Sequence, residues 1–259
     1  MPDGSVVPHP DNPRGLPPDM ASRLIVALDV PTIDQARRIV AALDGTVAFF
    51  KIGLWLAFAE GVDSLLRDLI QARKQVFLDT KMFDIGQTVE QGVARAADRG
   101  VSFVTVHGDG QIMQSAVKGK RGTDIKIFAV TVLTSLDNES LREMGYALTA
   151  QELVRLRVRQ AVQYGCDGII ASGLDNPDEI RRQAGSDKLL IATPGIRPPD
   201  AAADDHRRVA TPAQAIERGA DYLVVGRPVV EATGGPKAAA LRIIEQMQEG
   251  ERNRLAGAQ

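Results

Sequence analysis

The 259-residue sequence contains one cysteine, Cys166, so no disulfide can close within the chain and no cysteine-based metal cluster can form. That usage fits a reducing, cytoplasmic setting, and Cys166 itself reads as a small buried apolar residue. No apolar run is long enough to span a membrane. The opening segment MPDGSVVPHPDNPRGLPPDM lacks an apolar centre and does not read as a secretory leader. Charge of one sign is also lacking. A formal net charge of −2 provides no overall basic field for nucleic acid or an anionic membrane, although a local basic pocket stays open. No His/Asp/Glu spacing suggests a zinc site, so no metal is expected. His9 sits in the opening segment and reads as incidental, and His107 reads as a hydrogen-bonded wall residue rather than a base. Ser172-Gly173 has no adjacent base and no nucleophile-elbow context, which excludes a hydrolase triad.

What is present is a regular alternation. Hydrophobic residues make up 44% of the chain, enough for a core, and the length alone permits one large α/β barrel or two smaller domains. Short β-rich runs occur at Arg23–Asp29, Val47–Ile52, Gln75–Thr80, Ser102–His107, Asp124–Thr131, Gly168–Ala171, Lys188–Thr193 and Tyr222–Gly226. Such compact Val/Ile/Leu/Phe segments are how parallel strands covered on both faces read. Helical periodicity fills the gaps: Ile33, Ala36, Ile39, Val40 and Leu43 share one face, and Leu153, Leu156, Val158 and Val162 are read as another. Gly45, Gly100, Gly165 and Gly219 stand where helices should end. Eight strand–helix units predict an α/β fold of the (β/α)8 TIM-barrel type. An open doubly wound sheet would normally show a glycine fingerprint after its first strand, and that place reads Leu28-Asp29-Val30-Pro31. Residues 1–20, with six of the fourteen prolines, read as a loosely draped or disordered arm, residues 21–250 as a single barrel, and residues 251–259 as a frayed tail.

In such a barrel the active site lies at the C-terminal ends of the strands. The first strand ends on Asp29, and the second carries Lys51. The third ends in Asp79-Thr80-Lys81 with Asp84 beyond, and the seventh in Thr193-Pro194-Gly195-Ile196-Arg197. Strand alternation points Asp79 and Lys81 into the mouth and Thr80 away from it. Confining several charges costs several kcal/mol per ion unless they are paired. At about 4 Å and an effective dielectric of about 20, opposite charges attract by about 4 kcal/mol, so an alternating lysine–aspartate array can stay ionised. Gly226-Arg227 after the eighth strand fits the phosphate site common in this fold. The long connection Arg197–Ala210 reads as a lid.

Together, Val26-Ala27-Leu28-Asp29, Phe50-Lys51-Ile52-Gly53, the Asp79–Thr88 stretch, Leu133-Thr134-Ser135, Pro194-Gly195-Ile196-Arg197 and Val225-Gly226-Arg227-Pro228 resemble the orotidine 5′-phosphate decarboxylase family. The resemblance runs from about Arg23 to the last helix. It implies decarboxylation of orotidine 5′-phosphate to UMP without cofactor or metal. In that family's terms, Asp29 and Lys51 bind the ribose hydroxyls, Asp79 faces the substrate carboxylate and Lys81 delivers the proton to C6. Thr134 holds the pyrimidine, and Arg197, Arg227 and the Gly226 backbone hold the phosphate. Asp84 and Thr88 reach into a neighbouring subunit's site, implying a homodimer with shared active sites. Two positions depart from the family pattern: Gly86 replaces a usual proline, and the lid position usually held by glutamine is His206, kept as a ligand-binding candidate because it can still donate a hydrogen bond. Two other readings stay open. One is a related Mg2+-dependent barrel acting on sugar phosphates, which would need an acidic ligand where Lys51 stands. The other is a nucleotide-binding barrel without turnover.

Overall fold

The computed structural model describes residues 12–133, 135–172, 176–199 and 210–257. Eight parallel strands close on themselves in sequence order: β1 Leu24–Ala27, β2 Phe49–Gly53, β3 Gln75–Met82, β4 Phe103–His107, β5 Lys126–Val130, β6 Gly168–Ile170, β7 Leu190–Thr193 and β8 Tyr222–Val225. The helical layer comprises α1 Ile33–Ala42, α2 Leu54–Ala57, α3 Val62–Gln71, α4 Gly86–Asp98, α5 Gly110–Gly119, α6 Asn138–Glu143, α7 Ala150–Tyr164, α8 Pro177–Ala184, α9 Pro212–Glu217, α10 Arg227–Val230 and α11 Pro236–Gly257. The expected barrel is therefore the one observed, and the open sheet is excluded because β8 pairs with β1 through Leu24–Leu223 and Val26–Val225.

Period-two alternation divides the core into two layers. Ile25, Phe49, Phe77, Phe103, Phe128, Leu190 and Tyr222 point inward and fill the barrel. Phe103 organises this layer, with ring centroids 4.8 Å from Phe49, 4.6 Å from Phe128 and 5.1 Å from Tyr222. The alternate residues, such as Val26, Phe50, Val76 and Val104, face the helices. Helix ends follow local chemistry. Thr149 and Thr211 head capping boxes closed by Glu152 and Gln214. The four glycines expected at helix ends all have positive φ.

Three expectations require correction. In α7 the buried face is Ala150, Leu153, Val154, Arg157, Val158 and Ala161, so the stripe passes through Arg157 while Leu156 and Val162 are only partly buried. The arm is not loosely draped from Asn12 onward. Asn12 closes a turn on Leu16 with two 2.9 Å hydrogen bonds, and Leu16 joins the inner core. Arg14 lies 2.9 Å from Asp221, the residue preceding β8, so this strap lies against the N-terminal floor of the barrel. Leu16 and Met20 supply the apolar anchors. The expected tail is also largely helical, because α11 continues to Gly257. There Arg254 pairs with Asp178 at 3.0 Å, and Glu251 approaches Arg23 at 3.5 Å.

Candidate active site

The strands deliver their polar ends to a cavity of about 490 Å3 at the C-terminal mouth of the barrel. Asp29, Lys51, Asp79, Lys81, Arg197, Gly226 and Arg227 all line it. Lys51 is 8% exposed and lies between two carboxylates, 3.0 Å from both oxygens of Asp29 and 3.3 Å from Asp79. Lys81 reaches Asp79 from the other side at 2.8 Å. The order in space is therefore Asp29–Lys51–Asp79–Lys81. Burial alone would push the Asp79 carboxyl up. Lys51 and Lys81, with hydrogen bonds from Lys81 and Thr105, outweigh that and hold it below its ordinary value.

The local backbone makes this possible in two ways. Gly53 ends β2 against the first ion pair. A Cβ there would overlap the Asp29 carboxylate and stand 2.9 Å from Lys51 Nζ. On β3, the pairing with β4 jumps from Leu78–Val104 to Met82–Val106, so the segment bearing Asp79 and Lys81 is bulged by two surplus residues. Lys81 has φ +47, an uncommon conformation for a residue with a side chain. Thr105 of β4 fills the gap. Its hydroxyl donates to Asp79 at 2.8 Å and accepts the Lys81 N–H at 2.9 Å. Because two is an even number, alternation survives the bulge: Thr80 turns toward the helix layer beside Ile52 and Gly92, away from the mouth.

Across the cavity, Arg197 is buried and Arg227 opens α10, a single turn in which the Val229 and Val230 amides donate to the Gly226 carbonyl. Two arginines on one wall suit an anion such as phosphate. The long connection is pinched at its base: Ile196 bridges Ala210, and the Arg197 N–H donates to the Ala210 carbonyl at 2.9 Å. His206 and Thr134 lie outside the described residues. Asp84 and Thr88 are exposed and do not line the cavity of their own chain. Asp84 instead accepts the Ile85 N–H at 2.6 Å, just ahead of α4. At Gly86, the first residue of α4, a side chain would crowd the Ser115 hydroxyl at 2.5 Å.

His107, expected as a hydrogen-bonded wall residue, does not line the cavity. Among the described residues its Nδ1 is buried without a hydrogen-bond partner, and the Phe83 ring covers it at 4.5 Å between centroids. Burial first, and the Arg157 charge second, hold it below its ordinary value. Sequence reasoning did not single out Thr105, Trp55 or Glu231. The last two line the cavity. Only Thr105 carried a signal: it lies two residues before His107 and so shares its inward face.

Among the described residues, no group of three or more His, Cys, Asp or Glu side chains could hold a metal ion, and no helix is long and apolar enough to cross a membrane. Residues 22–243 match the sequence model of the family described as orotidine 5′-phosphate decarboxylase / HUMPS. The chain is 50% identical over 238 residues to the orotidine 5′-phosphate decarboxylase of Afipia carboxidovorans, covering 92% of this chain and 97% of that one. It is 48% identical over 233 residues to that of Rhodopseudomonas palustris, covering 89% and 97%. The crystal structure of orotidine 5′-phosphate decarboxylase from Lactobacillus acidophilus superposes with a TM-score of 0.77 at 35% identity, covering 87% of this chain and 99% of that one.

Proposed function

The chain belongs to the orotidine 5′-phosphate decarboxylase / HUMPS family, and from that premise we propose that it releases CO2 from orotidine 5′-phosphate to give UMP, the last step of de novo UMP synthesis. The observation that carries this reading is the Asp29–Lys51–Asp79–Lys81 array, with contacts of 2.8–3.3 Å, facing Arg197 and Arg227 across one cavity.

Loss of CO2 leaves an electron pair on C6 with no adjacent sink. Lys81 is the catalytic acid. Its ammonium stabilises that charge as it develops and then gives C6 a proton. General acid catalysis contributes about 10²–10⁴-fold, whereas enzymes remove about 8–23 kcal/mol from a barrier. The remainder comes from charges already fixed in place and from binding energy realised far from the reacting carbon. Asp79 holds Lys81 in position from the substrate-carboxylate side. Asp29 and Lys51 take the ribose hydroxyls, and Arg197, Arg227 and the Gly226 backbone take the phosphate, with His206 of the lid assigned to the same ligand. Thr134 is assigned to the pyrimidine. Lys51 occupies the space between Asp29 and Asp79 where a cation would otherwise be drawn, which supports a reaction without metal and disfavours the Mg2+-dependent sugar-phosphate reading.

The working unit in this proposal is a homodimer whose sites are completed by Asp84 and Thr88 of the second copy. Exposed apolar side chains flank Asp84 in sequence, Phe83 at 67% and Ile85 at 72%, and the segment after β2 adds Leu54, Trp55 and Phe58, all more than half exposed. Such a grouping marks an interaction surface. The buried Cys166 thiol, pushed up to about 12 mainly by burial, is unreactive, in keeping with a cytoplasmic enzyme.

Turnover of orotidine 5′-phosphate by purified protein should persist in excess chelator, and Lys81→Ala should abolish it while the fold survives. Near-normal activity in that variant would overturn the mechanism, and chelator sensitivity would revive the Mg2+ reading. UMP binding without turnover in the wild type would favour a binding protein. Mixing inactive Lys81→Ala and Asp84→Ala chains should restore activity through hybrid sites. No recovery in subunits shown to exchange would count against the shared site.

A further inference from the structure

The roles above leave unused a charged side chain buried behind the active-site wall. Arg157 of α7 is 7% exposed. Its Nη1 donates to the Thr131 carbonyl and its Nη2 to the Tyr146 hydroxyl at 3.1 Å. The Tyr146 ring also lies against the guanidinium, 5.6 Å from Cζ to the ring centroid. Among the described residues these bonds go to neutral oxygens rather than to a carboxylate. Burying a cation this way is costly unless it supports something the fold needs.

The surroundings are shaped to admit it. At Gly108, just beyond β4, a Cβ would stand 2.8 Å from Arg157 Cδ and would overlap the Val130 carbonyl. The missing side chain lets the arginine stem pass between α7 and the strand ends. Thr131 lies one residue beyond the last ladder pairs of β5, where Val130 faces His107 and Ile170. Its carbonyl therefore has no strand partner, and Arg157 provides one. Its hydroxyl donates to the Ile170 carbonyl at 3.0 Å, so the same residue is tied to β6 as well. Val132 and Leu133 follow immediately and line the cavity.

This wall is remote from the phosphate grip. Arg197 and Arg227 follow β7 and β8, and β5 stands two strands from β7 and three from β8 around the closed barrel. Val132 and Leu133 therefore border the end of the ligand away from the phosphate. We infer that Arg157 is a positioning residue for the base end of the substrate: by gripping the Thr131 carbonyl it fixes the Val132–Leu133 wall before the ligand arrives. This rests on the nucleotide reading above. Tyr146 assists by holding the guanidinium from the α6–α7 connection.

The test measures dissociation constants of UMP and ribose 5-phosphate by calorimetry for the wild type and the Arg157→Met, Arg157→Lys and Tyr146→Phe variants. Arg157→Met should weaken UMP by about 10-fold or more, as misplaced binding groups do, and leave ribose 5-phosphate within about two-fold. Arg157→Lys, which can still donate to the carbonyl, should recover part of the loss. Tyr146→Phe should show a smaller loss with the same selectivity. Unchanged UMP binding in Arg157→Met, or equal weakening of both ligands, overturns the inference. Should Arg157→Met fail to fold, the other two variants decide by the same criterion. A wild type that binds no UMP would instead sink the functional reading, so the two failures are distinct.

Discussion

Thr105 is uncharged and fully buried, yet two members of the lysine–carboxylate array depend on its hydroxyl. Thr105→Val keeps the shape and removes both bonds. The Lys81 N–H is left without its partner, a loss of about 1–3 kcal/mol, and Asp79 loses one of the donors that hold it ionised. Thermal unfolding should move to lower temperature, and kcat should fall by about 10-fold or more, while Thr105→Ser retains most of both. Wild-type turnover in Thr105→Val would mean that the lysines alone hold Asp79. The depressed Asp79 carboxyl has its own pH consequence. Folding favours its ionised form, so its contribution is complete above its ordinary 3.8 and is lost as pH falls through the lower folded value. The stability gap between wild type and Asp79→Asn, measured by denaturant titration, should therefore be widest near neutrality and narrow below pH 3.8. A gap that stays constant into strong acid would contradict a charge-based role.

At the scale of elements, the end of β2 is a tightly constrained junction. Gly53→Ala would force apart Asp29 and Lys51. The expected result is a KM raised by about 10-fold or more with a smaller change in kcat, because the ribose contacts proposed for Asp29 and Lys51 suffer before the proposed proton donor Lys81 does. An unchanged KM in steady-state assays would show that Asp29 swings aside freely. Such strand ends were legible in the sequence because their signals are local: period two fixes which side chains face the mouth, and Gly45 or Gly165 marks where a helix stops. The β3 bulge was not legible, since two extra residues leave the alternation intact and only pairing with β4 exposes them. Arg157 escaped for a different reason. An arginine in a helical stretch reads as solvated, and Leu156 looked the better core residue. Yet the strict spacing 150, 153, 154, 157, 158, 161 defines the face that is buried. Thr134 and His206, assigned through the family resemblance, lie outside the described residues, so their roles rest on the proposal alone.

At the scale of the whole molecule, floor and mouth do separate work. The strap from Asn12 to Met20 precedes the family match at residue 22, seals the floor with Leu16 and brings Arg14 to Asp221. Removing residues 1–18 should cost about 2–3 kcal/mol, the scale of one buried leucine. That corresponds to roughly 4–12 °C in Tm for a chain of this size. Turnover at 25 °C should be unaffected, because the cavity is at the other end. A shortened chain with wild-type Tm would show the strap to be incidental, and one with lost activity would show that floor and mouth are coupled. Closure of the barrel gives the β3 bulge a further consequence. A ring of strands has no free edge at which a frame error can be absorbed by slippage. A single-codon insertion or deletion between Leu78 and Met82 would turn either Asp79 or Lys81 into the helix layer, whereas a change of two codons would keep both facing the mouth. Lineages of this enzyme can therefore alter the length of that segment only in even steps, and alignments of its descendants should show gaps there in pairs or not at all.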